Sequence, residues 1–165
     1  AIYGVGVKNM KEAIPALEEI IEKDPDPTLK RIAAYSLGRI DKDKLLEYLS
    51  SQNKEIRDIA LETLVKLDKK NIDYLIENFD DFDIDTKFKI LFYVEKYGKP
   101  YYQDKLMNIA ENKDENSGIR KKALTLIGKI GNREVENRLW GLYYSERDEK
   151  IKKIVKDVIE KIEGE

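Results

Sequence analysis

Apolar positions along the chain follow one register five times over. An apolar or small residue is followed by a basic one, and further apolar residues stand 4, 8 and 11 positions after the first. The five sets are Leu29-Lys30 with Ala33, Leu37 and Ile40; Ile56-Arg57 with Ala60, Leu64 and Leu67; Thr86-Lys87 with Ile90, Val94 and Tyr97; Ile119-Arg120 with Ala123, Ile127 and Ile130; and Ile151-Lys152 with Val155, Ile159 and Ile162. At about 100° per residue these steps fall near about 40°, 80° and 20°, so each set is a narrow stripe on one helix face. The anchors lie 27, 30, 33 and 32 residues apart, a spacing that belongs to stacked helical repeats.

Ahead of each such helix the pattern predicts a first one, over residues 10–23, 43–50, 71–79, 101–112 and 133–144. Ile14, Leu17, Ile20 and Ile21 share a face in the first of these, and Leu139, Leu142 and Tyr143 share one in the last. The unit is a helical hairpin, with repeats over approximately 9–41, 42–69, 70–98, 99–131 and 132–163 of a single domain spanning 1–165. One hairpin cannot bury its own apolar face, so neighbours stack and protect each other. The second helices should begin near residues 28, 53, 84, 117 and 149. Asp26 before Pro27, then Asn53, Asp83, Asn116 and Asp148, stand at those openings, where short polar side chains accept from unpaired N–H groups.

In the last helix an apolar stripe (Ile151, Ile154, Val155, Val158, Ile159, Ile162) alternates with charges that suit a terminal cap. At the other end, Ile2-Tyr3-Gly4 echoes Leu126-Ile127-Gly128. Residues 1–8 therefore read as the remnant of a preceding helix, and this end as an incompletely capped one through which two copies could form a homo-oligomer.

Ala13-Ile14-Pro15-Ala16-Leu17, then Asp24-Pro25-Asp26-Pro27-Thr28-Leu29-Lys30, Ala33-Ala34 and Leu37-Gly38, with Ile119-Arg120, Ala123 and Ile127-Gly128 further on, resemble the short HEAT-like repeat of the phycobilisome-lyase type. The resemblance is strong in repeats 1, 2 and 4 and weaker in repeat 3, where Thr86 replaces the aliphatic anchor. It implies an all-α, right-handed α-solenoid (an α-α superhelix) of about five HEAT-like hairpins. Second helices would line its concave side, and the inner surface of such proteins commonly binds other macromolecules. No catalytic residue is carried over, because the repeat pattern holds only packing and turn positions.

Composition narrows the chemistry. Apolar residues make up 41% of the 165, and charged residues 39% with a net charge of -2, so there is material for a core but no global field to hold nucleic acid or an anionic membrane. There is no cysteine and no histidine, which excludes disulfides, histidine-dependent triads and the usual zinc sites. The His-Glu metal motif of HEAT-repeat hydroxylases has no counterpart. No apolar run approaches the roughly 20 residues that span a bilayer. The expectation is a non-enzymatic cytoplasmic protein without a cofactor, and the heavy use of Ile, Lys and Glu leans toward a heat-adapted source.

Candidate contact residues follow from the register. Positions two, six and nine after each anchor should face the concave side, and among them Tyr35, Asp58, Glu62, Phe88, Phe92 and Lys121 are the expected contacts for a protein partner. All four Phe residues lie between Phe79 and Tyr102. Phe88 and Phe92 either point into the groove or are buried by a rotated helix, and the general burial of large aromatics favours the second. Trp140 is expected in the core.

Two basic columns also recur: Lys30, Arg57, Lys87, Arg120 and Lys152 beside the anchors, and Arg39, Lys66, Lys96, Lys129 and Lys161 near the helix ends. Their simplest role is to bond turn acids of adjacent repeats and to offset helix C-termini. A phosphate track for nucleic acid is the alternative, and a subunit of a lyase-like complex a more distant one. Asp81-Phe82-Asp83-Ile84-Asp85 opens like a calcium loop but has Thr86 and Phe92 where the sharp turn and the bidentate acid belong.

Overall fold

The computed structural model describes residues 11–164. Among them are ten α-helices and no strand. They alternate as hairpins: α1 (Ile14–Lys23) with α2 (Pro27–Ile40), α3 (Lys42–Glu47) with α4 (Lys54–Leu67), α5 (Asn71–Glu77) with α6 (Ile84–Tyr97), α7 (Gln103–Glu111) with α8 (Ser117–Ile130), and α9 (Glu136–Ser145) with α10 (Glu149–Glu163). Short 3-10 turns lead into or extend the first helices, as at Tyr48–Ser50 and Pro100–Tyr102. The helix remnant expected over residues 1–8 lies outside the described residues.

Each second helix begins where its polar opener stands. Asp26 accepts from the Thr28 N–H at 2.9 Å, Asn53 from Glu55 at 2.9 Å, Asp83 from Thr86 at 3.2 Å, Asn116 from Gly118 at 2.9 Å and Asp148 from Lys150 at 2.9 Å. A cap of this kind is worth about 1 kcal/mol. Five of them fix the phase of the stripes against the turns, and that phase decides which residues are left facing outward.

The residues four and eight after each anchor are fully buried in all five second helices. Thr86 is as buried as the aliphatic anchors Ile56, Ile119 and Ile151, while Leu29 is 37% exposed. Positions eleven after the anchor are half-buried in the first four helices and buried only at Ile162; Ile40, Leu67, Tyr97 and Ile130 are each the last residue of their helix, whereas Ile162 lies one residue inside its own. Trp140 does not lie in the core as expected. It is half-buried and its indole stacks on Tyr144 at the surface.

Contacts gather into two compact units, Ala1–Asn71 and Ile72–Glu165. In the first, α1 packs on α2, α2 lies beside α4, and Leu17, Ile21, Leu37, Leu45 and Leu64 fill the space between. A Cβ on Gly38 would press into the Leu45 and Leu67 side chains, so glycine there lets α2 approach its neighbours. The Asn71 side chain closes this unit by donating to the Leu64 carbonyl at 2.6 Å. In the second, α8 lies between α6 and α10, with α7 packed on α8 and α9 on α10. Ile90, Val94, Leu106, Ile127, Leu139 and Val155 are fully buried among them.

Candidate interaction surface

The first basic column sits at the edge of the stacked hairpins, where first helices turn into second ones. Lys30 reaches Glu55 at 2.6 Å, Lys87 reaches Glu115 at 2.7 Å, and Arg120 forms a close pair with Glu146 while its Nε donates to the Ala110 carbonyl at 2.9 Å. Each pair joins one hairpin to the opening of the next second helix. Arg57 donates to the Ser51 carbonyl at 2.7 Å, and Lys152 lies over the Tyr143 ring at 4.9 Å.

Arg120 and Glu146 are the deepest of these pairs, with side chains 5% and 4% exposed. Burial alone would raise the Glu146 pKa. Hydrogen bonds from Arg120, Lys113 and the Asp148 N–H, with the guanidinium charge, outweigh it and hold the carboxyl at about 2. A cavity of about 540 Å³ opens above this network, lined by Lys113, Ser117, Arg147 and Asp148 among others.

The second basic column is exposed throughout. Lys66 stands over the Tyr35 ring at 5.7 Å, Lys129 pairs with Glu95 at 3.3 Å and Lys96 lies over Tyr97 at 5.2 Å. Arg39 and Lys161 are exposed near the C-termini of α2 and α10, where a cation offsets the helix dipole.

On the outer face of the second helices the two units differ. In the first unit Arg31 and Glu62 approach to 3.8 Å, Lys54 pairs with Asp58 at 3.0 Å one turn away, and Tyr35 lies beneath Lys66. A cleft of about 280 Å³ is lined there by Arg31, Ile32, Tyr35 and Lys66. In the second unit Phe88 is 39% and Phe92 55% exposed, so α6 is not rotated to bury them. Ile84, 49% exposed, extends them into a ridge at a spacing of four residues. The sequence reading overlooked Ile84, although it precedes Phe88 by one turn and the burial of anchor Thr86 forces it outward.

The tip of the Phe88 ring would lie 3.1 Å from a Cβ on Gly118, and Phe92 meets Tyr93 edge to face at 5.6 Å. Lys121 follows one turn along α8 and is half-buried, and none of the described carboxylates lies within ion-pair distance of its ammonium. Glu95, at the far end of α6, is taken up by Lys122 at 2.6 Å and by Lys129, which hold its pKa below the ordinary carboxylate range. The six expected contact residues thus fall into two groups. Tyr35, Asp58 and Glu62 belong to the first unit, and Phe88, Phe92 and Lys121 to the second.

No group of three or more histidine, cysteine, aspartate or glutamate residues is arranged to hold a metal ion among the described residues. None of the described helices is long and apolar enough to cross a membrane. Set against known families, residues 14–87 match HEAT repeats. The match runs from α1 to the first turn of α6, and over that stretch the expected HEAT-like, all-α repeat fold is borne out. No curated protein matches the chain.

Proposed function

We propose that this HEAT-like chain is a non-enzymatic interaction module that holds a protein partner on the second-helix face of its second unit. Ile84, Phe88 and Phe92 are the apolar anchors and Lys121 orients the partner through its charge. The reading rests on one observation: three large apolar side chains, each more than a third exposed, follow one another along a single helix face. Covering an aromatic ring buries about 150–250 Å² and makes it a natural hot spot. HEAT repeats commonly serve as protein-binding scaffolds, which agrees with it. Tyr35, Asp58 and Glu62 take a lesser part, because within the first unit the two acids already approach Lys54 and Arg31 and the Tyr35 ring lies under Lys66.

The test is capture of partners on the immobilised chain, followed by affinity measurement with Phe88→Ala/Phe92→Ala. A loss of about tenfold or more, with an unchanged melting temperature, is expected. Unchanged affinity, or a collapse of the fold, would overturn the assignment. The nucleic-acid alternative draws on the exposed second column alone, since cations of the first are engaged within the stack. Oligonucleotide affinity that falls steeply with salt would favour it.

A further inference from the structure

Three cations of the first basic column reach forward, from Lys30 to Glu55, from Lys87 to Glu115 and from Arg120 to Glu146. Lys152 holds the same position in the last hairpin, and none of the described carboxylates lies within ion-pair distance of it; its ammonium rests on Tyr143 instead. The residues around it break the register in the same way. Trp140 and Tyr143, both half-buried, stand 33 residues after Met107 and Ala110, which are fully buried in α7 with the next hairpin packed on them. Lys156 stands 32 residues after fully buried Leu124 and lies over the Trp140 ring at 5.0 Å. This back face has the layout of a stacking surface, carried by aromatic rings and two cations.

The first hairpin presents the complement. Leu29 is 37% exposed where Ile56, Ile119 and Ile151 are at most 5% exposed. Asp24 stands two residues before the cap Asp26 and accepts its N–H at 2.8 Å, just as Glu146 stands two before Asp148 and accepts its N–H at 3.2 Å. Glu146 also receives Arg120 from the preceding hairpin, whereas Asp24 has no cation within ion-pair distance among the described residues. Exposed Glu19 adds negative charge along α1, opposite in sign to Lys152 and Lys156 over the α9 rings, while Glu22 turns to the second hairpin and accepts from the Tyr48 hydroxyl at 3.1 Å.

We infer that a second copy of the chain docks head to tail, with Lys152 of one copy on Asp24 of the next and the α9 aromatics covering Leu29. The contact repeats between copies what Arg120 and Glu146 do within one, pairing a cation with the acid at a helix opening while apolar surface closes around it. Front and back are different surfaces, so the association is heterologous and grows into a ring or a filament. It uses neither Phe88 nor Phe92 and stands or falls apart from the partner site on α6.

Sedimentation velocity of the full chain over a wide concentration range tests it, with the emission of Trp140, the single tryptophan, recorded on the same samples. The average mass of the wild type should rise with concentration while Trp140 emission moves to shorter wavelength. Lys152→Glu and Asp24→Lys should each weaken association about tenfold or more. The double variant, and an equal mixture of the two single variants, should recover it, since each then pairs opposite charges. Lys152→Gln and Asp24→Asn serve if a charge reversal lowers helix content. A monomer at every concentration, or association indifferent to charge at both positions, overturns the inference.

Discussion

The two units build one repeat register into opposite surfaces. Across the second-helix face of the first, charge is spent locally: Arg31 meets Glu62, Lys54 meets Asp58, and Lys66 covers Tyr35. The second places its strongest pair below the surface, at Arg120 and Glu146, and leaves Ile84, Phe88 and Phe92 on the outside. The stripe and caps are common to both, so neither accounts for the difference. It arises at positions two and six after each anchor, which packing does not constrain. A repeat fold can therefore hold its core constant and change what it binds hairpin by hairpin.

The contrast in depth predicts the largest effect. Arg120→Ala leaves buried Glu146 with only Lys113 and the Asp148 N–H as partners and should cost about 1.5–3 kcal/mol, read from the midpoint of chemical denaturation. Lys30→Ala removes a clamp whose acid, Glu55, is about half exposed, and should cost about 1 kcal/mol or less. Equal losses would show that the two edges are equivalent and break the comparison. Acid sharpens it further. Glu146 has a folded pKa of about 2, below the roughly 4.3 of a free glutamate, so its stabilisation is complete above that unfolded value. It is lost as pH falls from there through about 2. With Glu146→Gln, the wild-type loss of stability across that window should flatten.

Next in size is the partner site. Phe88→Ala/Phe92→Ala should lower partner affinity about tenfold or more, and Lys121→Glu should lower it several-fold with a steeper salt dependence in the wild type than in the variant. A salt-independent interface would leave the aromatics as anchors and remove Lys121 from the reading.

Much of this is legible in the sequence, and for a physical reason. Burial of every fourth or eighth residue and a capping oxygen at each opening are local, periodic demands, so Ala33, Leu64, Asn116 and Asp148 announce themselves in the spacing. Exposure of Phe88 is not periodic. The general rule that large aromatics are buried argues against it, and only the seating of Thr86 in the core turns Ile84, Phe88 and Phe92 outward together. Trp140 misled for the converse reason: it occupies the register position of buried Met107, yet it is half-buried and its ring stacks on Tyr144. Glu146 and Glu115 drift by a residue relative to the caps, so a column count could not identify them as the acids that receive Arg120 and Lys87.

The smallest expected effect decides whether the first unit belongs to the site at all. Arg31 and Glu62 are both more than half exposed and meet at 3.8 Å, too far and too wet for a strong pair. Glu62→Gln should therefore change stability by less than about 0.5 kcal/mol and leave partner affinity where it was, because water replaces what Arg31 loses. An affinity loss matching that of Phe88→Ala would mean the partner contacts both faces. The self-neutralised surface of the first unit would then be one that exchanges its internal pairs for pairs with the partner, and the contrast between the units would describe only the unbound chain.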